Sequence, residues 1–318
     1  MEQLIVSSSP HAHSGASTPR IMRDVLIALA PATVMSVVLF RWSALWILLT
    51  CIGSCVLAEL LFNLICKKPC TIGDLSAVVT GALLALNIGS TTPLWQCAVG
   101  SVFAIVVVKG FFGGLGHNFV NPAIAGRVCM LLAFSSAMTS FVTPSFTSAD
   151  LTTSATPLAQ LQAGQTDALP ELWKMLVGLR GGAIGETCAI ALILGGVYLV
   201  VRRVIKWQVP TVYIATVFLL SWLISGNLLL AVYYVLSGGL LLGAIFMATD
   251  YVTTPLTFWG KVLFAFGCGV ITVLIRFFGA YPEGVSFAIL LMNILSPYLE
   301  KWTTPRPLGA KKNGGKKA

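Results

Sequence analysis

The sequence predicts an all-α polytopic membrane protein, with about ten transmembrane helices in two inverted five-helix repeats. Three observations carry this expectation. The 318 residues are 57% hydrophobic and only 10% charged, too few charges to cover a water-facing surface, since a soluble chain is roughly 25% charged. Apolar runs follow one another along almost the whole length. A fourteen-residue string also recurs in the two halves. The 30 Gly and 15 Pro follow no collagen period, and eight cysteines in this length do not make a disulfide scaffold.

Taken in order, residues 1–24 form a polar segment carrying His11, His13, Arg20 and Arg23. The run Val25–Phe40 follows, flanked by arginines and lacking a small-residue cleavage site, which reads as a signal anchor. Further spans are expected at 43–66, 75–90, 93–109 and 122–141, completing a first repeat over 25–141. The segment 142–182 is a long polar loop. A second repeat over 183–299 holds spans at 183–201, 211–225, 228–248, 257–278 and 283–299, and residues 300–318 form a basic tail. The repeat shows in Gly81–Leu94, GALLALNIGSTTPL, and Gly243–Leu256, GAIFMATDYVTTPL, which share six of fourteen positions. Each lies at the third span of its half. An odd number of spans per half inserts the second copy upside down, the plan of transporter-like folds whose sites lie on short or broken helices.

Basic residues give the orientation, because cytoplasmic segments retain Lys and Arg. With the N-terminus inside, sixteen of the 20 Lys and Arg fall on the cytoplasmic side, Lys109 and Arg127 among them. Only Arg41, Lys174, Arg180 and Arg276 fall outside. Both termini are therefore expected in the cytoplasm, with the loop 142–182 on the outer side. The net charge of +9 follows from this bias and from a lysine-rich tail facing anionic lipid, and needs no nucleic-acid partner.

The outer loop is rich in hydroxyls: twelve of the 22 residues from Ser135 to Thr156 are Ser or Thr. On composition this is a solvated loop. It contains Asp150-Leu-Thr-Thr-Ser-Ala-Thr156, which resembles the site at which an exported flavin transferase attaches FMN to threonine through a phosphoester. Asp150, Thr153, Ser154 and Ala155 occupy the places of that motif, and Thr156 that of the acceptor. Three more strings, GGLGHNFVNPAIAGR (Gly113–Arg127), GLRGGAIGETCA (Gly178–Ala189) and FMATDYVTTPLT (Phe246–Thr257), extend the match along essentially the whole chain. The chain resembles the NqrB/RnfD family: RnfD of the Rnf ion-translocating ferredoxin:NAD oxidoreductase complex and, more distantly, NqrB of the sodium-pumping NADH:quinone reductase. Members more often carry Pro at the place of Tyr251 and Gly at that of Ser154; neither departure removes a hydroxyl or a charge. The resemblance implies a urea-transporter-like fold in a bacterial inner membrane and covalent FMN on Thr156. It also implies a second, non-covalent flavin such as riboflavin, and partners comprising the other Rnf subunits, one of them flavin-bearing at the outer face.

Other residues are candidates by position. The Gly-rich stretch Gly110–Pro122 reads equally as a broken helix lining a site or as a tight intracellular turn, and His117 and Asn118 within it as donors to a flavin edge or as structural groups. It is no dinucleotide fingerprint, because no strand–turn–helix surrounds it. Acids inside a membrane are costly and usually functional. Glu59 and Asp250 are candidates for an ion path, Asp250 also for a helix end. Glu186 and Arg180 are candidates near the cofactor, or an ion pair at the membrane surface. The cysteines, with no CxxC pair, read as small buried apolar residues. The leading expectation is a redox subunit of an ion-translocating complex. A small-solute channel without redox function is the competing class, and a purely structural membrane anchor a third.

Overall fold

The computed structural model describes residues 17–69, 71–144, 152–153, 155–279 and 283–305. They are mostly helical. Asp150 and Ser154 of the threonine motif lie outside the described residues.

Helix α1 (Thr18–Ile65) contains the first two expected spans. Arg41, at φ 56° and ψ −134°, breaks it into legs 18–40 and 42–65. The first leg starts seven residues ahead of the apolar run. Pro19 suits a first helical turn, and Asp24 is buried against Arg202 (3.3 Å) and Tyr198 (3.4 Å). The segment 1–24 is thus not wholly an extramembrane tail; its last turns belong to the helix.

Several expected spans are shorter than a bilayer. Helices α2 (Ser76–Leu86), α4 (Pro122–Ala133) and α8 (Ala189–Val201) have 11, 12 and 13 residues, the first reaching about 16 Å at 1.5 Å per residue where about 30 Å is needed. Helix α3 (Leu94–Gly110) lies between α2 and α4 in the chain, and the five-residue α5 (Ser135–Thr139) follows α4. The loop 142–182 is not structureless. It pairs the two-residue strands β1 (Val142–Thr143) and β2 (Thr152–Thr153) antiparallel and forms α6 (Pro157–Gln162) and α7 (Leu172–Val177).

In the second half come α9 (Gln208–Ser225), α10 (Leu228–Leu236), α11 (Leu240–Met247), α12 (Phe258–Phe278) and α13 (Val285–Thr303). Helices α10 and α11 meet at 63° across Ser237-Gly238-Gly239, where both glycines have positive φ. By length and composition, among the described residues, three helices, α1, α9 and α12, suffice to cross a membrane, and the bent α10–α11 pair makes a fourth. Their outward faces carry large apolar residues such as Trp42, Leu61, Leu223 and Phe266, as a lipid solvent requires.

The two copies of the sequence repeat adopt the same local structure. In each, Gly-Ala lies in a short buried helix, α2 or α11. That helix stops, and the Thr-Thr-Pro string leads into the next one, α3 or α12. The chain before α8 penetrates the core: Ile184 N–H donates to Ile88 O (3.0 Å) and Gly185 N–H to Leu86 O (2.8 Å), extending the end of α2. Short helices therefore end inside the molecule, where chain from the other half satisfies their backbone groups.

Candidate functional site

Buried polar chemistry gathers in two places, and the threonine motif stands at a third. Thr156 is the N-cap of α6, and its Oγ1 accepts the N–H of Ala159 at 3.2 Å. It is half-buried and Ala155 is exposed. Leu158, two residues on, is buried with Leu161, Met175, Tyr233 and Tyr234 in a small core beneath α6. Thr156 is thereby anchored to α10, not carried on a free loop.

The first buried polar cluster lies at the start of α2. Lys109 Nζ, from the widened end of α3, is 2.7 Å from Glu59 Oε1 and 2.6 Å from Ser76 Oγ. Thr71 donates to the same Glu59 oxygen (2.6 Å) and receives Asn63 Nδ2 (3.0 Å). Asp74 accepts the N–H of Ser76 (2.8 Å). Glu59, Asn63, Thr71, Asp74 and Lys109, with Lys68, Gly113 and Gly114, line a cavity of about 390 Å³. Lys109 also borders a second, small cavity with Thr80, Asn118, Asn121 and Asp250. Both candidate ion-path acids, Glu59 and Asp250, therefore face space that adjoins Lys109.

The stretch 111–121 is re-entrant. Gly113, Gly114 and Gly116 take positive φ, after which Asn118, Val120 and Asn121 are buried. Asn121 caps α4 through its Oδ1 and donates to Met247 O (3.3 Å) across the halves. His117 and Asn118 part company: the imidazole is exposed beside Gly113, and the amide points inward with Oδ1 unpartnered among the described residues. Asp250 lies three residues beyond the end of α11 and lines the cavity, accepting the N–H of Val252 (3.4 Å) and the hydroxyl of Thr253 (3.4 Å).

The second cluster lies where the short helices converge. Arg127 donates to Asn87 Oδ1 (2.9 Å) and Ser286 Oγ (3.0 Å) and pairs with Glu283. Arg276 donates to the carbonyls of Tyr234, Ser237 and Gly238 at the end of α10. Arg180 donates to the carbonyl oxygens of Glu186 (2.6 Å) and Thr187 (3.4 Å). The surface ion pair expected between Arg180 and Glu186 is not formed. Both residues are buried, and the guanidinium uses the Glu186 backbone because a positive group here must satisfy re-entrant carbonyls.

Sequence reasoning missed Lys109, Arg127 and Arg276 as site residues, counting them as charges flanking the membrane. The structure buries all three, together with Arg180. Their charges are met inside the protein and carry no information on sidedness. With the four removed, the imbalance of basic residues keeps its direction. Among the cysteines, Cys51, Cys55, Cys97, Cys188 and Cys268 are buried as expected, but Cys66 is exposed and Cys129 half-buried.

The sequence matches known proteins. The model of the NQR2, RnfD, RnfE family matches residues 5–309. The D subunit of the Na(+)-translocating ferredoxin:NAD(+) oxidoreductase complex of Acetobacterium woodii is 45% identical over 97% of this chain and 96% of its own length. Its counterpart in the proton-translocating ferredoxin:NAD(+) oxidoreductase complex of Clostridium ljungdahlii is 41% identical over 96% of each chain. That of the ion-translocating oxidoreductase complex of Escherichia coli is 34% identical over 96% of this chain and 99% of its own. With a match of this extent, the chain belongs to the NQR2, RnfD, RnfE family.

Proposed function

We propose that this chain is the membrane electron-carrying subunit of a complex that couples electron transfer between ferredoxin and NAD to transport of Na⁺ or H⁺, with FMN joined through a phosphoester to Thr156. The observation that carries the reading is the mounting of Thr156. It lies in a seven-residue attachment motif, half-buried at the N-cap of α6, and α6 packs on α10. FMN supplies reversible electron uptake at this position, as the chemistry belongs to the cofactor. The chain's own part is positional. An esterified Thr156 Oγ1 still accepts the Ala159 N–H, so attachment leaves the cap of α6 intact. Leu158 and Leu161 hold that helix on α10, which fixes the attachment point relative to the membrane body.

The body is read as ten membrane passes in two inverted five-helix repeats, 25–141 and 183–299, with both termini cytoplasmic and Thr156 outside, in a bacterial inner membrane. The matched local structure of the two repeat copies and the direction of the charge imbalance support this. The cavities bordered by Lys109, with Glu59 and Asp250, supply polar surface for an ion path. Asn118, whose Oδ1 has no partner among the described residues, adds an amide oxygen to the smaller one; at about 60 Å³ that cavity does not fit the ring system of a second, non-covalent flavin such as riboflavin. Arg180 and Glu186 lie in the core near the α10–α11 break and act on the FMN only through their charge. The partners are the other Rnf subunits, including a flavin-bearing one at the outer face, and a flavin transferase for maturation. The names of the relatives support membership of such a complex. The test is co-expression with a flavin transferase and ultraviolet inspection of a denaturing gel. Fluorescence is expected in the parent and absent in Thr156→Ala; a fluorescent alanine variant, or a dark parent beside an active transferase, contradicts the assignment.

A further inference from the structure

Glu186 sits where interrupted elements meet: the chain before α8, the Ser237–Gly239 break before α11, α4 through Arg127, and the start of α13 through Glu283. Its side chain is buried. Oε1 accepts the N–H of Ala183 at 3.0 Å, while Oε2 has no hydrogen-bond partner among the described residues. Two glycines make room for it. A Cβ on Gly182 stands 2.7 Å from Oε1, and one on Gly239 stands 2.7 Å from Oε2.

The charged groups around it are Arg180 from its own segment, Arg127 from α4, Arg276 from α12 and Glu283 from the segment before α13. No hydrogen bond joins any of the three guanidinium groups to the carboxylate: Arg127 is engaged by Asn87, Ser286 and Glu283, and Arg180 and Arg276 donate to backbone carbonyls. Two influences oppose each other at this carboxyl. Exclusion from water favours the neutral acid, and the surrounding positive charge favours the anion. A group so balanced exchanges its proton when nearby charge changes. Gly182 and Gly239 approach the carboxyl closely on its two oxygens, and the lone pair on Oε2 is free to take a proton.

We infer that Glu186 is a proton-carrying group at the junction of the interrupted helices, holding its proton on Oε2 and exchanging it by way of Glu283 Oε1. Glu283 engages Arg127 through Oε2 alone. Its Oε1 is without a partner among the described residues, and the side chain is 18% exposed against 5% for Arg127. In the transfer the O–H bond at Glu186 breaks and one forms at Glu283 or at an intervening water; no electron moves. The role of this proton in transport rests on the function proposed above, but the proton itself is detectable without flavin or turnover.

The experiment is infrared difference spectroscopy of the purified chain in phospholipid nanodiscs, between acid and alkaline pH, in H₂O and D₂O. The expected result is a protonated-carboxyl C=O band that titrates, shifts in D₂O, disappears in Glu186→Gln and persists in Thr156→Ala. That last arm separates this inference from the flavin assignment. In Glu283→Gln the band remains and its deuterium exchange slows by about a hundredfold, the low end of what one positioned proton-transfer group contributes. Should Glu186→Gln not fold, Glu186→Asp keeps a carboxyl on a shorter stem and is expected to move the band. A band that survives in Glu186→Gln, stays unmoved in Glu186→Asp, or is absent from the parent overturns the proposal. Unchanged exchange in Glu283→Gln overturns Glu283 as the route.

Discussion

Lys109 illustrates what a single residue does in this protein. Its ammonium is buried, 4% exposed, and its partners are Glu59 and Ser76, which the chain brings from 50 and 33 residues away. A buried ion pair adds little stability over an apolar pair, but removing one member strands the other. Lys109→Ala is expected to cost about 3–5 kcal/mol, read as a lower unfolding midpoint in detergent. The double variant Lys109→Met with Glu59→Gln is expected to recover most of that loss. Equal losses in the single and double variants contradict the pairing. Glu59 was visible in the sequence as an acid inside an apolar run. Its partner was not, because a lysine near the end of a span looks like any cytoplasmic flank. Arg127 and Arg276 were hidden in the same way.

At the scale of elements, the molecule depends on helices that stop inside it. Apolar runs give the order of the helices correctly, and the Gly-rich stretches mark where they break. They do not give length: 75–90 reads as one span, yet α2 ends at Leu86 and the chain then pairs with residues before α8. That pairing joins residues about 100 apart, which periodicity does not register. The break between α10 and α11 yields a graded test. Gly239 has φ 65° and its added Cβ meets Glu186 Oε2 at 2.7 Å, whereas Gly226 has the same φ and nothing within 4 Å. Gly226→Ala is expected to cost only the left-handed backbone term, about 1–2 kcal/mol. Gly239→Ala is expected to cost that and roughly 1–3 kcal/mol more for the overpacked contact. Equal midpoints for the two variants count against a tight fit around Glu186.

At the scale of the whole molecule, the membrane character follows from composition, and the proposed direction rests on the basic residues. The threonine motif was legible as a string; its mounting on α6 above a small core was not, since Leu158, Tyr233 and Tyr234 are brought together only by folding. The proposed orientation is testable by cysteine labelling in intact cells. A membrane-impermeant maleimide is expected to reach Gln165→Cys from outside, and to reach the exposed native Cys66 only after the membrane is opened. The reverse pattern inverts the topology and removes Thr156 from the side where an exported transferase works.

The most direct measurement is the mass of the proteolytic peptide that contains Thr156, from protein matured with a flavin transferase. The account predicts an added mass of one FMN less one water, located on Thr156 by fragmentation and absent from Thr156→Ala. An unmodified peptide from protein matured beside a transferase that flavinylates another substrate contradicts it.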